Sequence, residues 1–190
     1  MQLAPPTKGK KSRFSYPANG LDSLSLATLS CRLNTTNSTT QEGKKVPLVI
    51  ITASAFEAQR LLEEIPYLAP DLTAKLNVSL LPDWETLPYD VFSPHPDLIS
   101  ERLATLYQVS QNQCDIVIVP IATALLRLPA VAYLAGHSFM LKKGQRLNLE
   151  ALRHQCAQAG YHHVTQVISP GEFSVRGGLL DLFPMGSVLP

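Results

Sequence analysis

The segment at residues 46–68, "VPLVIITASAFEAQRLLEEIPYL", decides the fold class of this 190-residue chain. It opens with a β-branched run that lacks polar alternation, which predicts a strand covered on both faces, as in a parallel sheet. The rest predicts a helix, because Ser54 and Glu57 form an S-x-x-E capping box. The helix is predicted to bury an apolar stripe of Phe56, Leu61, Leu62 and Ile65. A buried strand that leads into an amphipathic helix is the repeating unit of an α/β fold.

The same order of elements recurs on both sides of this segment. "LDSLSLATLSCRL" (21–33) predicts a helix, with Leu21, Leu24, Leu29 and Leu33 near one face. "NVSLLPDWE" (77–85) predicts a short strand, and "DLISERLATLYQVS" (97–110) predicts a helix with its apolar side chains facing inward. "CDIVIVPIATALLRL" (114–128) contains a second fully apolar strand that turns at Pro120 into a short helix. We therefore expect a parallel α/β sheet with right-handed connections over residues 20–132.

After Gly136 the pattern changes to that of a small α+β domain. "HSFMLKKGQRL" (137–147) alternates and then turns at Lys143-Gly144, and "NLEALRHQCAQAGY" (148–161) predicts an amphipathic helix ended by Gly160. Residues 162–190 predict two or three antiparallel strands joined at Pro170-Gly171 and Gly177-Gly178. This strand ladder lacks a closing partner, so the chain is expected to be truncated relative to a longer protein.

The bulk composition disfavours several classes of protein. Sixteen Lys and Arg against fifteen Asp and Glu give a net charge of +1, so no overall field attracts nucleic acid or a membrane. Cys31, Cys114 and Cys156 are too far apart for a metal site or a disulfide framework, which predicts a reducing, cytoplasmic location. The sequence shows neither a signal peptide nor an apolar span, so no membrane association is expected.

No phosphate-binding loop is intact. A Walker A motif would lie just before the first helix, where the sequence reads "SYPANGLDSLSL" (15–26). Gly20 is present, but Leu21-Asp22 occupies the positions of the motif's Lys and Ser/Thr, and an acid there would repel a triphosphate. We therefore predict no cofactor, no metal and no catalytic residue in this chain.

The segment "GEFSVRGGLLDLFP" (171–184) is the candidate binding site. Arg176 stands beside a Gly-Gly turn, with Glu172 and Phe173 on the same predicted strand. An exposed arginine most often pairs with solvent or a neighbouring acid. At the end of a strand beside such a turn it can also form a charge-assisted hot spot for a partner protein.

A second unusual segment, "DWETLPYDVFSPHPD" (83–97), is interpreted as a rigid connector framed by prolines. Trp84, Tyr89 and Phe92 are predicted to anchor it to the α/β domain. The alternative interpretation is an exposed surface for a partner.

Three blocks of sequence in order carry a family resemblance. They are "LPDWETLPYDVFSPHPDLISERLATLY" (81–107), "LKKGQRL" (141–147) and "GEFSVRGGLLDLFPMG" (171–186). Together they resemble the N-terminal region of the bacterial transcription-repair coupling factors, the Mfd family, and more distantly UvrB. Residues 1–20, a Gly- and Ser-containing basic stretch outside the three blocks, are expected to be a flexible lead-in. The resemblance implies a UvrB-like domain 1A at 21–136, a helicase-like domain of degenerate P-loop type. It also implies a UvrB-like domain 2 at 137–190 that binds UvrA and is incomplete at its C-terminal end.

The resemblance further implies which activities are present. Arg176 resembles a UvrA-contacting residue, whereas the missing Walker lysine implies a catalytically inert docking module. The parent protein would be an ATP-dependent DNA translocase with ATP and Mg²⁺ in a C-terminal motor. It would bind RNA polymerase and duplex DNA through parts absent here. The alternatives are the ATP-dependent helicase domain of a true UvrB, against which the missing lysine speaks, and a DNA-binding module, which the balanced charge disfavours.

Overall fold

The computed structural model describes residues 9–13, 21–37, 46–68, 76–87, 89–136, 138 and 141–187, with the backbone alone at 35–37. Apart from 9–13, the predicted lead-in at 1–20 lies outside these residues. The helices are α1 (Leu21–Asn37), α2 (Ala55–Leu68), α3 (Pro96–Ser110), α4 (Ile121–Ala124), α5 (Val131–Gly136) and α6 (Leu149–Gln158). The strands are β1 (Leu48–Thr52), β2 (Val78–Leu80), β3 (Ile116–Pro120), β4 (His162–His163), β5 (Glu172–Arg176) and β6 (Leu179–Leu182).

The first of two compact units comprises Met1–Asp83 and Gln108–Leu126. Its sheet has the order β1-β3-β2, and both pairs of strands are parallel, as predicted. The central strand β3 is buried along its whole length, as its apolar sequence predicted. The prediction that β1 is covered on both faces is wrong, because Val49 and Ile51 are 56% and 58% exposed on this outer strand of the described sheet.

Helix α2 covers one face of this sheet and begins with the predicted capping box. The Ser54 hydroxyl accepts a hydrogen bond from the Glu57 N–H at 3.2 Å, and the Glu57 carboxylate accepts one from the Ala53 N–H at 3.1 Å. The prediction for Phe56 is wrong, since this side chain is 80% exposed. It lies about 200° around the helix from the buried Ala58. The buried residues of α2 are Ala58, Leu61 and Ile65.

Helix α1 buries a face of mostly small residues, and of the predicted leucine face Leu29 is buried and Leu33 is half-buried. Ser23, Ala27 and Ser30 are fully buried, whereas Leu21 and Leu24 are exposed. The Ser23 hydroxyl donates to the Glu64 carboxylate at 2.6 Å, and the Ser30 hydroxyl donates to the Asp115 carbonyl at 3.3 Å. Both hydroxyls are thereby satisfied in the interior.

The second unit comprises Trp84–Tyr107 and Arg127–Pro190. Its sheet has the order β4-β5-β6, and β5 and β6 form the predicted antiparallel hairpin. The antiparallel prediction is wrong for β4, which pairs with β5 in parallel. Loop 164–171 returns the chain to the starting end of β4, so β5 runs in the same direction. The structure is therefore a mixed α/β chain with one parallel sheet and one mixed sheet.

The core of this unit lies between α6 and one face of its sheet. Leu152 and Cys156 of α6 contact Phe173 of β5, and Tyr161, Val175, Leu180 and Leu182 surround them. Asn148 caps α6 by accepting a hydrogen bond from the Ala151 N–H at 3.1 Å. Gly160 follows the helix with a φ of +88°, as its predicted role in ending the helix requires.

The segment 141–148 contains the predicted turn but no strand. Gly144 has a φ of +86°, and the Gln145 N–H donates to the Lys142 carbonyl at 3.0 Å. Residues 141 and 142 and residues 145–148 have no strand partner. The alternation predicted at 137–141 falls largely on residues outside the described part of the chain.

Residues 84–107, placed by the sequence in the first domain, cluster with the second unit in the structure. Within this unit the Gly186 N–H donates to the Ser100 hydroxyl of α3 at 2.5 Å. The buried residues of α3 are Ser100, Arg102 and Thr105, whereas Leu98, Ile99, Leu103, Leu106 and Tyr107, predicted to face inward, are only half-buried. Small and polar side chains let the Gly186 backbone approach the helix closely.

We expect Gly186→Ala to lower the free energy of unfolding by about 1–2 kcal/mol. Gly186 has a φ of +85°, and a Cβ there would lie 2.7 Å from the Ala104 Cβ. Gly144→Ala is the matched control, because Gly144 has the same kind of φ and nothing within 4 Å of an added Cβ. Urea denaturation should show a larger loss for Gly186→Ala. Equal losses would mean that the close approach to α3 contributes nothing.

Candidate partner-binding site

The candidate site lies on the β5–β6 hairpin, whose turn is set by Gly177-Gly178. Of this pair only Gly177 has a positive φ, +59°, the pattern of a type II′ turn. The register pairs Arg176 with Leu179 and Ser174 with Asp181. Because side chains alternate along a strand, these residues share the face of the sheet opposite the Phe173 core.

Arg176 is presented to solvent at the end of this hairpin. Its side chain is 67% exposed, and its Nη2 lies 2.5 Å from the Asp181 Oδ2, on a side chain that is 48% exposed. An exposed ion pair of this kind contributes little to stability, about 0–1 kcal/mol. Its main effect here is to orient the guanidinium, whose planar fork suits carboxylate partners.

Two further exposed residues adjoin Arg176 and were missed by the sequence reasoning. Leu179, opposite Arg176, is 69% exposed, and Asp181 follows on the same strand face. The alternation in "LLDL" could have placed both of them on the outer face, since Leu180 and Leu182 face the core. We call Arg176, Leu179 and Asp181 the hairpin surface.

Glu172 is the first residue of β5, and its carboxylate caps the loop that precedes the strand. Its carboxylate accepts hydrogen bonds from the Ser169 N–H at 2.9 Å and the Ile168 N–H at 2.8 Å. These two hydrogen bonds, of which the one from Ser169 has the larger effect, hold the pKa of the Glu172 carboxyl below its ordinary value. Glu172 thus fixes loop 164–171 and, through it, the start of β5.

The lowered pKa of Glu172 predicts how stability depends on pH. A carboxyl whose folded pKa lies below its unfolded value stabilises the fold above the unfolded pKa, and the contribution is lost as the pH falls through the folded pKa. We therefore expect Glu172→Gln to flatten the acid limb of a melting temperature against pH profile below about pH 5. Glu150→Gln, on the exposed side of α6, is the control. An unchanged acid limb in Glu172→Gln would contradict this role.

Phe173 lies in the core beneath the hairpin and does not reach the surface. Its side chain is 1% exposed and packs against Leu152 and Cys156. The ring of His163 lies 5.1 Å from the Phe173 ring, centroid to centroid. Of the three residues predicted to bind a partner, the structure thus places Arg176 on the surface, Glu172 in a loop cap and Phe173 in the core.

The segment 83–97 differs from its interpretation as an anchored connector. Trp84 is half-buried, and the Arg102 guanidinium lies 4.1 Å from the centroid of its ring. Tyr89 and Phe92 are 98% and 81% exposed, so the prediction that they are anchors is wrong. Both rings therefore project into solvent from a segment that turns at Leu87 and Asp90, where the Asp90 N–H donates to the Leu87 carbonyl at 3.0 Å.

At the start of α1 the structure gives Asp22 a local partner. Its Oδ2 lies 2.8 Å from Arg60 Nη2, and Arg60 also contacts Glu64 at 2.6 Å. The loop that would hold a phosphate, 15–20, lies outside the described residues. Within the described ranges, no group of three or more His, Cys, Asp or Glu side chains is placed to hold a metal ion. The helices in those ranges are all too short or too polar to traverse a bilayer.

Comparison with known proteins defines first the class and then the family. Residues 139–189 match the family described as the UvrB interaction domain, so the chain carries a domain of that class. It is also similar to transcription-repair-coupling factors. The one from Escherichia coli K12 is 50% identical over 144 residues, which is 76% of this chain and 12% of the relative. The one from Haemophilus influenzae is 45% identical over 139 residues, which is 73% of this chain and 11% of the relative. The one from Bacillus subtilis is 28% identical over 144 residues, which is 76% of this chain and 12% of the relative.

The chain is thus homologous to the N-terminal region of the transcription-repair-coupling factors, which confirms the resemblance stated from its sequence. It spans only 12% of the length of the E. coli relative. The hairpin surface lies within the residues that match the UvrB interaction domain.

Proposed function

We propose that this chain is a docking module that binds the excision-repair protein UvrA through its second unit. The observation that carries the proposal is the match of residues 139–189 to the UvrB interaction domain. Within those residues, the hairpin surface combines an oriented guanidinium with an exposed leucine. Arginine is one of the residues enriched at interface hot spots.

In the longer protein, the module would recruit UvrA to RNA polymerase stalled in the cytoplasm. The names of the relatives, transcription-repair-coupling factors, support this role. The parent would be an ATP-dependent DNA translocase that displaces the polymerase and uses ATP and Mg²⁺ in its C-terminal motor. RNA polymerase and duplex DNA would bind to parts of the parent outside this chain.

The first unit is proposed to be a helicase-like domain that has lost nucleotide binding. The parallel order β1-β3-β2 is compatible with such a domain. Leu21-Asp22 stands where a Walker loop needs Lys and Ser/Thr, and the Asp22 carboxylate is engaged by Arg60 at 2.8 Å. Calorimetry should therefore detect no ATP binding to this chain at millimolar ATP with Mg²⁺. A micromolar affinity would support the rival reading, an active UvrB-type helicase domain.

A competition assay tests the docking function. The immobilised chain should retain purified UvrA, and an excess of UvrB should displace it, because the resemblance to UvrB implies that both proteins bind UvrA through the same domain. UvrB that fails to compete would place the UvrA contact elsewhere on the chain. If the chain retains no UvrA, the proposal is wrong.

A further inference from the structure

The loop at 87–92 carries the most exposed apolar side chains of the second unit. Leu87, Tyr89, Val91 and Phe92 are 73%, 98%, 94% and 81% exposed. We call these four residues the aromatic loop. Single exposed apolar residues are ordinary, whereas four large ones within one short segment mark an interaction surface.

The aromatic loop is pre-organised by its own hydrogen bonds. The Leu87 N–H donates to the Asp90 carboxylate at 2.7 Å, and the Asp90 N–H donates to the Leu87 carbonyl at 3.0 Å. On its C-terminal side the Ile99 N–H donates to the His95 carbonyl at 3.2 Å, which joins the segment to α3. A loop already held in one conformation loses little entropy when it binds.

The N-terminal side of the loop is held by a cation–π contact. The Arg102 guanidinium lies 4.1 Å from the centroid of the Trp84 ring, and Arg102 is 3% exposed. This buried contact fixes the stem of the loop to α3 within the second unit. The exposed side chains are therefore presented from a fixed base.

The charge around the aromatic loop selects the chemistry of its partner. Between Asp83 and Glu101 the sequence has five acids and no Lys or Arg. Glu85, Asp90 and Asp97 are exposed. This field repels the phosphates of nucleic acid and anionic lipids. It attracts an apolar surface rimmed by basic side chains.

We propose that the aromatic loop docks a partner protein whose contact surface is an apolar face flanked by Lys and Arg. Tyr89 and Phe92 enter the apolar part of that surface, and Glu85, Asp90 and Asp97 face its basic rim. Aromatic anchors surrounded by polar residues are the usual centre of a protein interface. This contact is separate from the hairpin surface and does not depend on UvrA binding.

A pair of labelled amphipathic helical peptides tests the proposal on the whole chain. Both peptides have leucines along one face, and the flanks carry lysines in one and glutamates in the other. Fluorescence anisotropy should show that the lysine peptide binds the wild-type chain and that the glutamate peptide does not. Added salt should weaken the binding, since part of it is electrostatic.

The matched variants are Tyr89→Ser/Phe92→Ser and Phe56→Ser/Tyr67→Ser. The second pair removes aromatics of α2 that are 80% and 83% exposed, so it changes the exposed aromatic area comparably at another place. The loop variant should lower the affinity for the lysine peptide about tenfold or more, whereas the control variant should leave it unchanged. All four substitutions are at exposed positions, so equal melting temperatures should confirm that both variants fold.

Four outcomes would overturn the proposal. Equal binding of both peptides, or equal affinity of both variants, would show that the loop does not select a basic apolar surface. A dimer in sedimentation that the loop variant abolishes would identify a second copy of the chain as the occupant. Binding to single-stranded DNA that the loop variant abolishes would identify stacked bases as the occupant.

Discussion

Replacing Phe173 by alanine should lower the free energy of unfolding of the second unit by about 3–5 kcal/mol. Phe173 is 1% exposed and is the side chain of β5 that joins α6 to the sheet. Its removal loses the transfer free energy of the ring and leaves a cavity beside Leu152 and Cys156. Urea denaturation, monitored by the hydrogen exchange of the backbone amides of residues 149–182, should report the loss of stability in this unit.

Phe56→Ala is the control for this result. Phe56 is 80% exposed, so its truncation should change the unfolding free energy by less than about 0.5 kcal/mol. A loss below about 1 kcal/mol for Phe173→Ala would show that the ring is not the centre of the core. Phe173→Leu, which keeps most of the volume, should recover part of the stability.

Replacing Arg176 by alanine should weaken UvrA binding by about 2 kcal/mol, roughly thirtyfold, without unfolding the chain. The guanidinium is 67% exposed and oriented by Asp181, so truncation removes donors that a partner carboxylate can use. The ion pair itself contributes little to the fold. The affinity is measured by surface plasmon resonance with immobilised UvrA.

Two further variants separate a direct contact from a general charge effect. Lys143→Ala removes an exposed positive charge from the loop at 141–147 of the same unit, and it should leave the affinity for UvrA within about twofold of wild type. Arg176→Lys keeps the charge but not the planar fork, and it should lose most of the affinity that Arg176→Ala loses. Equal effects of Lys143→Ala and Arg176→Ala on UvrA affinity would show that only the net charge of the unit matters and that Arg176 makes no specific contact.

Local sequence signals correctly predicted those features of the first unit that depend on residues close together in the chain. The capping box of Ser54 and Glu57 and the buried strand β3 follow from spacing within a few residues. The face of α1 did not follow, because burial of Ser23 and Ser30 depends on acceptors at Glu64 and Asp115, far along the chain. Leucine spacing alone cannot reveal such partners.

In the second unit, the sequence located the hairpin but not the roles of its residues. Gly177-Gly178 marks the turn and Arg176 stands beside it, which put the arginine on the surface correctly. Alternation also implies that Phe173 and Arg176 face opposite ways, and the sequence reasoning nevertheless grouped them. The parallel pairing of β4 with β5 and the cap of the preceding loop by the Glu172 carboxylate were both missed by the sequence reasoning.

The exposure of the aromatic loop could not be predicted from the sequence either. Aromatic residues between prolines were interpreted as anchors, because large rings are usually buried. Exposure of Tyr89 and Phe92 depends on which surfaces lie nearby in three dimensions. The acids around them were visible in the sequence and were the better guide to an exposed segment.

The central claim is that this chain binds UvrA through the unit that contains the UvrB interaction domain. Calorimetric titration of purified UvrA with the wild-type chain tests it most directly. The account predicts saturable binding with one chain per UvrA protomer, and a clearly weaker isotherm for Arg176→Ala. An absence of saturable binding, or identical isotherms for wild type and Arg176→Ala, would contradict it.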